Sequence, residues 1–188
     1  PKGSGLSSSA AFEVLTCAIL DKLYNNWCID FKLRAQIAQY AENEFFGKPS
    51  GLMDQMASSA GGLVHIDFKN DDPMVRPLTY DFAKKGYALV VVNTGGSHAD
   101  LTADYAAMPI EMKQVAAFFG KAVLNEVNEA EFYEKISDVR KACGDRAVLR
   151  ALHYYDENQR VRLQVRALRN DNFAAFLNYV NASGSSSW

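Results

Sequence analysis

Apolar residues recur at three- and four-residue intervals from the start of the chain: Leu6, Ala10, Ala11, Val14, Leu15, Ala18, Ile19 and Leu23. That spacing predicts an amphipathic helix over about 7–24, stopped by the breaker pair Asn25-Asn26. Asp30 stands where an N-cap belongs for a second helix that reaches Phe46 and is ended by Gly47 and Pro49. Its apolar stripe is Leu33, Ile37, Ala38, Ala41 and Phe45. Ser50-Gly51 opens a short third helix that runs through Ser59 and stops at Gly61-Gly62. Leu63 to Phe68 reads as a strand before the turn cluster Asn70-Asp71-Asp72-Pro73, and the unbroken apolar run Tyr87 to Val92 reads as the clearest strand. Three further helices are predicted. One covers about 102–119, with Met112, Val115, Ala116 and Phe119 on one side; one runs from Asp145 to Asn170; and one, capped by Asp171, carries Phe173, Phe176, Leu177 and Val180.

Two carboxylates interrupt these patterns. Glu42 falls inside the stripe of the second helix, and an inward carboxylate is costly unless something neutralises it. The bland alternative is a helix-edge glutamate that reaches water or pairs with a base. Glu44 lies off the stripe and serves as the outward control. Asp54 sits among Leu52, Met53 and Met56, where it either caps the first turn of its helix or does chemistry.

The first helix is entered through Pro1-Lys2-Gly3-Ser4-Gly5-Leu6-Ser7-Ser8-Ser9. Two glycines one residue apart allow close backbone approach to a ligand, the serines can cap the helix, and the helix N-terminus favours an anion. A floppy linker would not pass straight into helical spacing. A Walker loop needs Gly-Lys-Ser/Thr, which is missing, and a dinucleotide fingerprint wants a third glycine where Ser8 stands. The stretch therefore reads as a phosphate cradle, with helix capping alone as the plainer reading.

Composition narrows the rest. With 188 residues, 48% of them hydrophobic, the chain is long enough for a real core in one or two domains. A net charge of −2 leaves no electrostatic footprint for nucleic acid or an anionic membrane. Cys17, Cys28 and Cys143 have neither metal spacing nor an even count, which predicts free thiols in a reducing compartment, the cytoplasm. No protein partner is evident. His98 has no second ligand at metal spacing and reads as a loop residue. The arginines from Arg146 to Arg169 are interleaved with Asp145, Asp156 and Glu157, so they read as a paired, solvated surface. The chain opens inside a motif without an initiator methionine, and Ser183 to Trp188 reads as a cut, so a piece of a longer protein is expected.

Taken together, the glycine–serine loop, Glu42-Asn43-x-Phe45, Gly51-Leu52-Met53-Asp54-Gln55 and the Asn93–Tyr105 segment resemble the galactokinases, sugar kinases of the GHMP superfamily. Glu157-Asn158-Gln159-Arg160-Val161 is similar to a later helical motif of that family. The resemblance implies a two-domain α+β fold, incomplete here at both ends. Residues 1–80 would belong to the N-terminal nucleotide-binding domain and 81–188 to the C-terminal GHMP domain. The implied activity is ATP-dependent phosphorylation of D-galactose at its anomeric hydroxyl to galactose 1-phosphate.

In that reading Gly3, Ser4, Gly5, Leu6, Ser7, Ser8 and Ser9 wrap the nucleotide phosphates, Ser9 and Glu42 hold magnesium, Asp54 acts on the sugar hydroxyl, and Gly51 and Tyr105 contact the sugar. Ser50 and Leu52 depart from a cysteine and an isoleucine common in the family. The family's N-terminal sugar-binding segment and C-terminal glycine-rich motif are not in these 188 residues, which implies activity for a longer parent and none for the piece. The alternatives are a galactose- and ATP-sensing regulator on the same scaffold, against which the intact Ser9-Ala10 pair speaks, and another GHMP small-molecule kinase.

Overall fold

The computed structural model describes residues 6–47, 50–92 and 102–188. It is mixed α and β and mostly helical, which agrees with the α+β expectation. The chain divides into two compact units, Pro1–Asp100 and Leu101–Trp188.

In the first unit, α1 (Ser8–Tyr24), α2 (Phe31–Tyr40) and α3 (Met53–Ala60) pack against one another, and α3 leads into the antiparallel hairpin β1 (Leu63–Asp67) and β2 (Met74–Leu78). The α2 cap is as expected: the Asp30 side chain accepts from the Leu33 N–H at 2.8 Å. The α1 cap is not. Ser7 occupies the N-cap position with φ 54°, and its side chain makes no capping bond; a capping serine needs an extended backbone, and the left-handed one here removes that geometry. After Tyr40 the helix continues as one widened π turn, Ala41–Phe45.

The buried face of this helix corrects the expected stripe. Leu33, Ile37 and Phe45 are exposed, while Arg34, Ala35, Ala38 and Glu42 form the buried face. Glu42 comes in under Ala38 by the ordinary four-residue helical spacing, whereas Phe45, at the end of the widened turn, swings out.

The link between α1 and α2 is held by a carboxylate that the sequence pattern did not single out. Asp21, buried on α1, accepts from Asn25 Nδ2 at 3.0 Å and from the Cys28 and Ile29 amides at 3.1 and 3.2 Å. Arg34 of α2 lies 3.8 Å from its second oxygen, donates to the Ile29 carbonyl at 3.1 Å and stacks 4.9 Å over the Trp27 ring. These bonds let Asn26 and Trp27 hold left-handed backbone, with φ 54° and 60°.

The run Tyr87 to Val92 is not a strand. Leu89 is 95% exposed and Val90 74%, and no described strand takes either of them as a neighbour. Apolar β-formers become a strand only when a neighbouring edge takes their backbone groups. Conversely β2 was not expected, because Arg76 and Pro77 hide its pattern; a proline is tolerated in a strand with a free edge.

The second unit is helical: α4 (Thr102–Phe118), α5 (Glu129–Glu134), α6 (Ile136–Cys143), α7 (Asp145–Arg169) and α8 (Phe173–Ser187). The expected inward side of α4 is buried with Leu124, Val127, Phe132, Val139, Ala147, Val148, Ala151 and Tyr155 in one continuous core. Phe132 sits at its centre, 5.2 Å from the Tyr155 ring and 6.5 Å from that of Phe119. The cap of α8 is Asn172, whose side chain accepts from the Ala175 N–H at 3.1 Å; Asp171, the expected cap, takes left-handed backbone instead. In α7, Glu157 of the later motif pairs with Arg160 and accepts from Ser183 of α8 at 2.8 Å. The expected pairing of the arginines holds in part: Arg160 engages Asp156 and Glu157 on its own helix, while Arg146 and Arg150 both engage Glu111 of α4. Among the described residues no helix is long and apolar enough to cross a membrane.

Candidate functional site

The buried carboxylate of the first unit is the starting point. Glu42 is 3% exposed, and three elements converge on it. Ser9, in the first turn of α1, donates its hydroxyl to Glu42 Oε1 at 2.9 Å. Gln55, in the first turn of α3 and fully buried, donates its amide to Glu42 Oε2 at 2.7 Å. Glu42 therefore does not reach water from a helix edge, whereas Glu44 is exposed as the outward control requires.

The entry to α3 is latched to the π turn by a second set of bonds. Asn43 Oδ1 accepts from the Ser50 amide at 2.8 Å and from the Ser50 hydroxyl at 3.0 Å, and Gln39 Nε2 donates to the Ser50 carbonyl at 3.0 Å. Thus α2 and its π turn hold α3 in register, and the first turn of α1 is tied to the π turn through Ser9.

Asp54 differs from the expectation. It lies in the first turn of α3 but is exposed, with no hydrogen-bond partner among the described residues, because the inward face of α3 carries Gln55 and Met56. Gly51 is exposed beside it, and an added Cβ there would meet nothing within 4 Å. Leu6, Ser8 and Ser9 are exposed and Ser7 is half-buried. Tyr105 stands exposed on α4 in the second unit. Gly3, Ser4 and Gly5 lie outside the described residues, as do Pro49, Asn93 and His98.

An apolar groove of about 470 Å³ runs between α1 and α2, lined by Phe12, Cys17, Leu20, Ile37, Ala38 and Phe46 among others. None of Ser9, Glu42 or Asp54 lines it. Burial in its wall pushes the Cys17 thiol up, against a smaller opposing pull from Arg34. The three cysteines are free, as expected. Among the described residues no group of three or more His, Cys, Asp or Glu side chains converges as a metal cage.

Sequence reasoning found Ser9, Glu42 and Asp54 and passed over Gln55 as a functional residue. The signal was present, since Gln55 is polar next to Met56 on the face that packs inward, but a glutamine in a short helix reads as a surface residue until its neighbours are known.

Residues 1–62 match the GHMP kinases N terminal domain. The chain is 35% identical to a galactokinase of Glaesserella parasuis over 90% of its own length and 43% of the relative's. It is 32% identical to a galactokinase of Haemophilus influenzae over 99% of the chain and 47% of the relative, and 32% identical to a human galactokinase over 94% and 43%. The chain thus spans a little under half the length of the curated relatives it matches. Over nine-tenths or more of its residues, then, the chain is galactokinase-like, and it carries the GHMP kinase N-terminal domain match at its start.

Proposed function

We propose that the protein transfers the terminal phosphoryl group of ATP to the anomeric hydroxyl of D-galactose, giving galactose 1-phosphate. The observation that carries the reading is the Ser9–Glu42 hydrogen bond of 2.9 Å, which joins the end of a glycine–serine stretch to a buried carboxylate far away in sequence. Phosphoryl transfer asks a protein mainly for positioning and charge neutralisation, and each demand has a matching group here.

Gly3 to Ser9 would receive the nucleotide phosphates. In support, α1 has no acidic residue in its first turn and Ser7 does not cap it, so the N–H groups and dipole of the helix start favour an anion. Ser9 Oγ and a Glu42 oxygen would hold magnesium. They are hard oxygen donors set side by side, and magnesium typically rests on one or two protein oxygens with phosphate and water completing its shell. When bound, the ion supplies neutralisation of the phosphate charge.

The remaining roles fall to this chain's own side chains. Asp54, exposed and without a hydrogen-bond partner among the described residues, would accept the proton of the anomeric hydroxyl or hold it in line. Gly51 leaves room for the sugar to approach the backbone, and Tyr105 is read as a further sugar contact. Residues 1–80 are read as part of the nucleotide-binding domain and 81–188 as part of the C-terminal GHMP domain. ATP and galactose are the only partners in this reading, and three free thiols suit a cytoplasmic setting.

The test is Asp54→Ala in the native protein. Galactose phosphorylation should fall by about a hundred- to ten-thousand-fold, with nucleotide affinity and thermal stability unchanged, because the side chain supports nothing in the fold. A fall of less than about tenfold removes Asp54 from the chemistry.

A further inference from the structure

We infer that Gln55 is a positioning residue for the Glu42 carboxylate and through it sets the affinity of the site for a divalent cation; this rests on the reading of Ser9 and Glu42 as the cation's ligands. Gln55 is fully buried, and its Nε2 lies 2.7 Å from Glu42 Oε2 and 3.5 Å from Ser50 Oγ. An ionised carboxylate only accepts, so the amide nitrogen must face it. That orientation leaves Gln55 Oε1 buried without a hydrogen-bond partner.

An apolar side chain of the same length would remove the unpartnered oxygen but would also strand Glu42 Oε2, a buried carboxylate oxygen that needs a donor. What the amide contributes is a fixed partner for one carboxylate oxygen. Ser9 and Gln55 hold different oxygens of Glu42 and are unlike donors. Oε1 is held by a serine hydroxyl, which can rotate its proton away, whereas Oε2 is held by an amide that packing keeps in place. Oε1 is accordingly the oxygen that can exchange its hydrogen bond for a cation while Oε2 stays anchored.

The anchor is itself supported. Ser50, which precedes α3, is pinned by Asn43 and Gln39, so the separation of Gln55 from Glu42 is set by backbone register and not by a flexible arm. Hydrogen-bonding partners of a metal ligand fix its orientation, and their loss typically weakens metal binding by about 10- to 100-fold.

The experiment titrates a non-hydrolysable ATP analogue into the native protein with and without magnesium, so the readout is the magnesium-dependent gain in affinity and not turnover. Gln55→Met keeps the volume and removes the donor. It should cut that gain by about tenfold or more while leaving metal-free nucleotide affinity unchanged. Glu42→Gln is the reference. If it abolishes the gain and Gln55→Met retains it in full, Gln55 does not position the ligand and the inference falls, while the cation reading stands. If Glu42→Gln leaves the gain intact, the cation reading falls and takes this inference with it. Should Gln55→Met fail to fold, Gln55→Asn, which draws the amide back by one methylene, carries the same expectation; unfolding of both variants would assign Gln55 to folding alone and overturn the inference.

Discussion

The two compact units solve the problem of an interior in opposite ways. In residues 101–188 the large side chains that are fully buried, Phe132, Val115 and Val139, are apolar and belong to one continuous core. In residues 1–100 they are Met56, Gln55 and Asp21, and Arg34 and Glu42 are buried with them. The helices of that unit meanwhile leave Phe12, Leu20, Tyr24, Phe45 and Phe46 exposed. A core of hydrocarbon is tolerant of detail, since any well-shaped apolar side chain serves it. A buried polar network is not, because each member is costly unless its partner is in place. The unit with Glu42 accepts that cost at the heart of its packing, whereas the helical unit confines it to Glu111 with Arg146 and Arg150, outside its apolar core.

The contrast can be broken most severely at its two centres. Phe132→Ala should cost about 3–5 kcal/mol in chemical denaturation, because its ring is enclosed on all sides and a cavity would remain. Asp21→Ala should cost about 3–5 kcal/mol as well, though it removes almost no apolar surface, because it strands the Arg34 guanidinium and the Cys28 and Ile29 amides. If Asp21→Ala proved nearly neutral, the first unit would not be built on its polar network.

A smaller effect sharpens the comparison. Among the described residues of the helical unit, Glu111 is the buried carboxylate. Burial pushes its carboxyl up, and the hydrogen bonds and charges of Arg150 and Arg146 outweigh this, holding it below the usual carboxylate range. A carboxyl lowered in the folded state contributes stability above its unfolded pKa and loses it as pH falls through the folded value. Acid unfolding should therefore weaken this unit below the ordinary glutamate range, and Glu111→Gln should flatten that part of the profile at a cost of about 1 kcal/mol near neutral pH. The smallest effect is expected from Phe45→Ala, within about 0.5 kcal/mol, since the ring is exposed.

Tyr155 offers a spectroscopic version of the same contrast. Burial, with smaller help from the nearby Tyr154 and Glu129, pushes its phenol up to about 12. The folded state thus favours the neutral phenol, a contribution present below the ordinary tyrosine range and lost as pH rises towards 12. Ultraviolet titration of the tyrosines should show a late component that Tyr155→Phe removes.

Much of the candidate site was legible because it was written as exceptions. Glu42 stood out as a carboxylate inside an apolar stripe, and the glycine–serine stretch as a loop that flowed directly into a helix. Asp30 and Gly61 are local signals, a side-chain cap and a helix end with positive φ, and such signals need only their sequence neighbours. Asp21, Arg34 and Gln55 were not legible. Each is an ordinary polar residue on a helix, and its burial depends on which other helix lies against it.

The amino-acid order by itself determined where most helices lie, which side of α4 is apolar, that a carboxylate at position 42 needs neutralising, and the pairing of Arg160 with Asp156 and Glu157 on α7. These come from periodicity and from chemistry within a few turns of the chain. Tertiary structure alone decided the rest. The end of the π turn left Phe45 in solvent, α3 brought Gln55 against the carboxylate while presenting Asp54 to solvent, and the apolar run Tyr87 to Val92 found no neighbouring strand among the described residues. A helix closes its own hydrogen bonds, so its sequence suffices to propose it. A strand, a buried charge and a ligand-holding carboxylate each need groups distant in the chain, and only the packed structure says which of those arrive.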